Sequence, residues 1–229
     1  MRTLIALAAL LAVGPFAGSD ALAGPPADLA GAQAIQFTVD NNFTVSAFQG
    51  QMISYQRFLT DKRAVRLAAG LYLDRTDSDV SKTYDDDIGE RELLNWDNSF
   101  TVKAQYVFYR GDGAVRYFWG AGPKVTYGNS RSETSSSRYE AGNVEFILYG
   151  YDNESFGAGL QGFCGVEWFI NDLFSLHAEY AVSAMYTWTR RFEERAETWD
   201  PESYESYTSE RRSPSFSSDG VRFGLSARF

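Results

Sequence analysis

The chain has one histidine, His177, and Glu179 follows two residues later at the same strand parity. An imidazole beside a carboxylate is the pairing that general acid–base chemistry uses. Glu167 could form a carboxylate pair with Glu179 in the same kind of chemistry. The run Asp85-Asp86-Asp87, with Asp77, Asp79, Glu90 and Glu92 around it, could gather divalent cations. It lacks EF-hand spacing, so a solvated acidic loop is the simpler reading and no metal site is expected. Gly120-x-Gly122 and Gly157-x-Gly159 are not nucleotide loops, because no helix pattern follows either pair. Cys164 is the only cysteine, which excludes an intrachain disulfide and a cysteine-based metal site. It reads as a small lipid-facing residue, and no cofactor is expected.

Whether His177 and the two glutamates are catalytic depends on the elements that carry them. The N-terminus begins with Arg2, continues through an apolar run from Leu4 to Val13, and reaches Ala21-Leu22-Ala23. That order is a cleavable export signal over residues 1–23, with the mature chain starting near Gly24. The apolar run is shorter than the ~20 residues of a spanning helix. Gly24 rather than a cysteine comes directly after the cleavage site, which argues against a lipid-anchored lipoprotein. Residues 24–229 then form one all-β domain. Aromatic residues make up 16% of the chain, high enough to suggest rings at a membrane interface. No mature segment is apolar for the length of a spanning helix, which excludes a helical membrane protein but not a β-barrel. A net charge of −9 makes nucleic acid a poor partner.

The mature chain alternates with period two. Val221, Phe223, Leu225, Ala227 and Phe229 interleave with Gly220, Arg222, Gly224, Ser226 and Arg228. The same pattern places Leu176 to Trp188 against His177, Glu179 and Ser183, and Ala158 to Trp168 against Gln161 and Glu167. It places Val115 to Tyr127 against Arg116 and Lys124, Phe100 to Phe108 against Lys103, and Val65 to Leu73 against Arg66 and Asp74. Ile35, Phe37 and Val39 begin the first strand, which turns at Asn41-Asn42. In the second strand Gln49, Gln51 and Arg57 fall on the apolar face, and a bulge at Gly50 would shift that face. The total is about eight strands of 11 to 14 residues. Short turns fall near 60–63, 111–113 and 171–173, and long polar loops near 77–97, 130–154 and 195–215. Within the middle loop, Val144-Glu145-Phe146-Ile147-Leu148-Tyr149 reads as strand extension, with a partner-binding edge as the sharper alternative. Short turns at one end and long loops at the other are the asymmetry of an outer-membrane barrel.

Periodicity alone does not say which face points out. The charged face also carries Gly70, Gly120, Gly122, Gly159, Gly165, Gly220 and Gly224. An eight-stranded bore holds only side chains, and small residues make room there for long charged ones. Arg66, Lys103, Arg116, Lys124, Glu167, His177, Glu179, Arg222 and Arg228 are therefore expected as a lumen charge network, with Glu167 and Glu179 each paired to an arginine. The apolar face would be a large sticky patch on a soluble protein and is the required surface in lipid. Tyr106, Phe108, Tyr117, Trp119, Trp168 and Phe229 form one expected aromatic girdle, and Phe100, Tyr127, Tyr186 and Trp188 the other.

These features resemble the small OmpA/OmpX-type members of the outer-membrane β-barrel superfamily of Gram-negative bacteria. The resemblance spans the mature chain. It rests on the export signal, the strand rhythm, the segment Tyr117-Phe118-Trp119-Gly120-Ala121-Gly122-Pro123-Lys124, and the final strand Val221–Phe229. It implies a closed antiparallel up-and-down transmembrane barrel in the cell outer membrane, monomeric, contacting outer-membrane lipids and lipopolysaccharide. It also implies that Phe223, Leu225 and Phe229 form a barrel-assembly signal, read by the assembly machinery with periplasmic chaperones. No peptidoglycan-binding domain is expected after the barrel. Some small barrels are lipid A deacylases with a Ser/His/Glu set, but here Glu179 occupies the position where the serine would stand. His177 also lies close to a short turn, away from outer-leaflet substrate. The expectation is a non-enzymatic structural or surface-interaction protein with a filled bore. A narrow channel for small solutes or ions is the alternative, and a lipid A-modifying enzyme the weaker one.

Overall fold

In a computed structural model, the described residues are 29–44, 49–84, 87–140, 143–197 and 205–229. They form eight strands: β1 Gln33–Thr44, β2 Gln49–Thr60, β3 Arg63–Tyr84, β4 Asp87–Arg110, β5 Val115–Glu140, β6 Asn143–Phe169, β7 Phe174–Glu197 and β8 Glu205–Arg228. Each strand pairs antiparallel with the next, and β8 pairs with β1, so the sheet closes into a barrel. The closing seam sets Phe37 opposite Leu225 and Val39 opposite Phe223. Closure satisfies backbone donors and acceptors that lipid could not. The export segment lies outside the described residues.

The tight connections share one end of the barrel. Gly111, at φ +106, takes the left-handed conformation in the β4–β5 turn. In the β6–β7 turn the Asn171 side-chain oxygen accepts from Leu173 N at 2.9 Å and Phe174 N at 2.8 Å, a local bond that fixes the bend.

The opposite end differs from the expected long loops. Pairing continues from Leu73↔Asn98 up to Tyr84↔Asp87, and from Tyr127↔Phe156 up to Glu140↔Asn143. Strands β3 to β8 are therefore 22–27 residues long rather than 11–14. The apolar alternation stops where lipid stops, but backbone pairing does not depend on it. Residues 144–149 lie inside β6, in the strand extension that their composition suggested. Strands β1 and β2 have only 12 residues each. Above them, among the described residues, β3 pairs with β4 alone and β8 with β7 alone. Pro214, which has no N–H to donate, sits in this part of β8 opposite Tyr186.

The first hairpin differs as well. Strand β1 runs past Asn41-Asn42 to Thr44, so the chain does not turn there. Register is simple along β2 from Gln51 to Arg57, with Arg57 exposed. The register shift falls between Val39↔Gln51 and Thr44↔Gln49, so the ladder is irregular at Gly50, with the extra residues on the β1 side.

The two faces separate cleanly. Leu67 is 57% exposed and Leu160 65%, and Leu71, Val221 and Leu225 also face outward. Gln161, Ser183 and Ser226 on the other face are 0% exposed. This is the reverse of a soluble barrel that turns its apolar face inward, and such an exterior is stable only against lipid. Aromatic side chains girdle the wall at two heights: Phe108, Tyr117, Trp119 and Trp168 near the turns, and Phe100, Tyr127, Phe156 and Tyr186 further up. Leu160→Arg, between the two bands, should destabilise the bilayer-inserted barrel by about 2–4 kcal/mol in urea titrations. An unchanged midpoint would contradict a lipid-facing position.

Candidate functional site

The bore is built from inward positions of all eight strands. Its lower half, toward the turn end, holds an apolar cluster: Phe58, Ala64, Val107, Tyr109, Phe118, Phe163 and Phe169 are buried together with Leu29. Leu29 is drawn in by the chain ahead of β1, where its N–H donates to Asp61 Oδ1 at 2.9 Å. Phe169 is sandwiched by two guanidinium groups, Arg228 at 4.4 Å and Arg116 at 5.3 Å from the ring centre. Arg116 also donates to Asp61 O at 3.3 Å, and Arg228 to Asn171 O. The expected lumen charge network shares the bore with rings here. Phe58, Val107, Tyr109, Phe118 and Phe163 share the charged parity, and the taper at this end is filled by rings.

A continuous polar chain lies against this plug. Arg66 donates to Glu179 Oε2 at 2.5 Å and to Gln56 Oε1 at 3.1 Å. Gln56 donates to Tyr109 Oη at 2.9 Å, and Tyr109 donates to Glu167 Oε2 at 2.8 Å. Ser175 donates to the other oxygen of Glu167 at 2.5 Å. The Arg66 guanidinium stacks on Phe118 and Phe163, at 5.6 and 5.2 Å. Glu179 thus has an arginine partner. Glu167 has none among the described residues: its oxygens accept from two hydroxyls. The nearby guanidinium groups of Arg116 and Arg228 lie on the Phe169 ring instead.

A second cluster lies above the first, and sequence reasoning missed its centre. Asp219 accepts from Lys124 at 2.8 Å, from Ser183 at 3.1 Å, from Arg222 at 3.2 Å, and from Gln161. Lys103 reaches it only at 4.0 Å, and among the described residues its ammonium has no hydrogen-bond partner. Simple alternation back from Val221 would point Asp219 into lipid. A bulge prevents this. Ala181 pairs with Gly220 and Val182 with Ser218, so Asp219 is an extra residue. Gly220, at φ +74, supplies the left-handed conformation that the bulge needs. The available signal was Asp219-Gly220 inside a strand pattern, which marks a bulge.

His177 is 5% exposed. Its Nε2 lies 3.3 Å from Thr38 Oγ1 and its Nδ1 lies 3.3 Å from Ser226 Oγ. A Cβ on Gly224 would come 2.4 Å from the ring, so only glycine leaves room for the imidazole. The histidine therefore lies between two buried hydroxyls, while Glu179 is bound to Arg66. Cys164 is exposed on the outer wall. Outward positions on β8 expose Phe223 and Leu225, and Phe229 is exposed at its end. The acidic residues 85 and 86 lie outside the described residues.

No known protein family matches the sequence, and no curated protein does. Among solved structures, the chain is similar to a major outer membrane protein from Thermus thermophilus, at 12% identity over 86% of this chain and 98% of that one, with a TM-score of 0.45. It is also similar to the N-terminal β-barrel domain of Pseudomonas aeruginosa OprF, at 14% identity over 87% and 98% of the two chains, with a TM-score of 0.29. What places this chain in a bilayer is its own geometry, a closed sheet with an apolar outer wall and a polar, packed bore.

Proposed function

We propose that the chain is an integral protein of the outer membrane whose barrel is a plugged anchor, with a structural or surface-interaction role rather than an enzymatic one. The observation that carries this reading is the packed bore: the aromatic cluster around Phe118 and Phe169 packs against the unbroken chain Glu179–Arg66–Gln56–Tyr109–Glu167. A surface role is favoured by the strands beyond the upper girdle. The stretch of β5 from Tyr127 to Glu140 extends roughly 40 Å along the strand. His177 sits too deep, between Thr38 and Ser226, to meet an outer-leaflet lipid. The barrel is read as a monomer surrounded by outer-membrane lipids and lipopolysaccharide. Phe223, Leu225 and Phe229 are offered to the assembly machinery, and the chain is carried there by periplasmic chaperones.

Planar-bilayer recording tests the plug. The purified barrel should insert without a steady conductance; a stable open level would favour the channel reading. Lipid A recovered from cells expressing the wild type or His177→Ala should carry the same acyl chains. Acyl loss that depends on His177 would overturn the non-enzymatic reading.

A further inference from the structure

We propose that the outer wall of β6, β7 and β8 holds one phosphorylated lipid, its acyl chain in a groove between the strands and its phosphate beneath Arg190 and Arg212. This rests on the reading that the wall faces a bilayer. The groove has a volume of about 360 Å³ and is lined by Phe156, Ala158, Tyr186, Trp188 and Arg212. Its floor follows from register. Phe156 pairs with Trp188 and Ala158 with Tyr186, so a methyl stands where the neighbouring positions carry rings. Arg212 is the cross-strand partner of Trp188 and lies at the rim.

Further up the wall is a second cavity of about 340 Å³, lined by Asn129, Arg131, Asp152, Glu154, Arg190 and Phe192. Arg190 follows Trp188 on the same face of β7, about 7 Å higher along the strand. The polar cavity begins one register pair above the apolar slot, Glu154↔Arg190 after Phe156↔Trp188, and that is the polarity order of an amphiphile, tail below and headgroup above. Its position at the upper aromatic girdle is the height of a lipid headgroup.

The charges select the headgroup. Arg131 is taken up by Glu133 and by Asp152 at 3.7 Å. Arg190 and Arg212 form no ion pair among the described residues, although Glu154 of β6 and Glu210 of β8 both stand opposite Arg190 in register. Two guanidinium forks without a partner, at the boundary of a low-dielectric phase, suit a phosphate, which accepts paired N–H donors. Phosphate alone would leave the groove below it empty, and an uncharged lipid would leave both arginines without an anion.

The test uses the full barrel in phosphatidylcholine nanodiscs containing a small fraction of phosphatidic acid with the same acyl chains. Heat-modifiable migration is checked first, since its absence would fell the bilayer reading itself rather than this site. Native mass spectrometry then counts the lipids retained per barrel. One phosphatidic acid should be retained in preference to phosphatidylcholine. Arg190→Gln with Arg212→Gln should cut that preference at least roughly tenfold. Ala158→Trp fills the groove from the lipid side without touching the bore, and should abolish retention of either lipid. Excess inorganic phosphate should leave the retained lipid in place. Equal retention of the two lipids, retention unchanged in Ala158→Trp, or displacement by inorganic phosphate would each overturn the proposal.

Discussion

Arg66→Ala should lower the unfolding free energy of the bilayer-inserted barrel by about 3–5 kcal/mol, the usual cost of leaving a buried charge without its partner. Arg66 and Glu179 side chains are 5% and 6% exposed and 2.5 Å apart, so water cannot replace the lost guanidinium. The truncation also removes the donor to Gln56 Oε1 and the cation stacked on Phe118 and Phe163. Urea titration of the protein in phosphatidylcholine vesicles, followed by gel mobility, measures the loss. Arg66→Met combined with Glu179→Gln should recover most of it, because no unpaired charge then remains in the bore. A single variant within about 1 kcal/mol of wild type would place the pair among screened surface bridges instead.

Asp219→Ala should cost a similar amount, about 3–5 kcal/mol. The carboxylate is the shared acceptor of Lys124, Arg222, Ser183 and Gln161, and Lys103 stands 4.0 Å away. Without it, three cations face one another behind a low-dielectric wall. Asp219→Asn keeps the shape and an acceptor oxygen but not the charge, and should fall between alanine and wild type in the same titration. If alanine and asparagine were both neutral, Asp219 would not be the centre of the upper cluster.

The two variants fall on opposite sides of what the sequence discloses. Arg66 and Glu179 are legible because they keep the parity of Leu67 and Tyr180 on neighbouring positions, and parity fixes the face of every residue in an unbroken strand. Asp219 is not, because it is itself the inserted residue and resets the count, and only the register across to Ala181 and Val182 reveals it. The aromatic layer was hidden for a different reason. Val107, Tyr109, Phe118 and Phe163 alternate with the lipid-facing residues, yet in a linear pattern an inward ring differs from an outward one only by its position in the count. The length of β3 to β8 was hidden because polar-on-both-faces segments carry no period-two signal, although their backbones pair up to Tyr84 and Glu140. The closed sheet itself was legible, since apolar alternation recurs through the membrane band in all strands but β2, where Gln51 and Arg57 interrupt it.

Intermolecular nuclear Overhauser effects between lipid acyl chains and the barrel, recorded in bicelles, test the two-faced wall most directly. Leu67, Leu71, Leu160, Val182 and Leu225 should show cross-peaks to lipid methylenes, while Ala68, Gln105, Ser183 and Ser226 show none. Lipid contacts to the second set and not to the first would contradict the account.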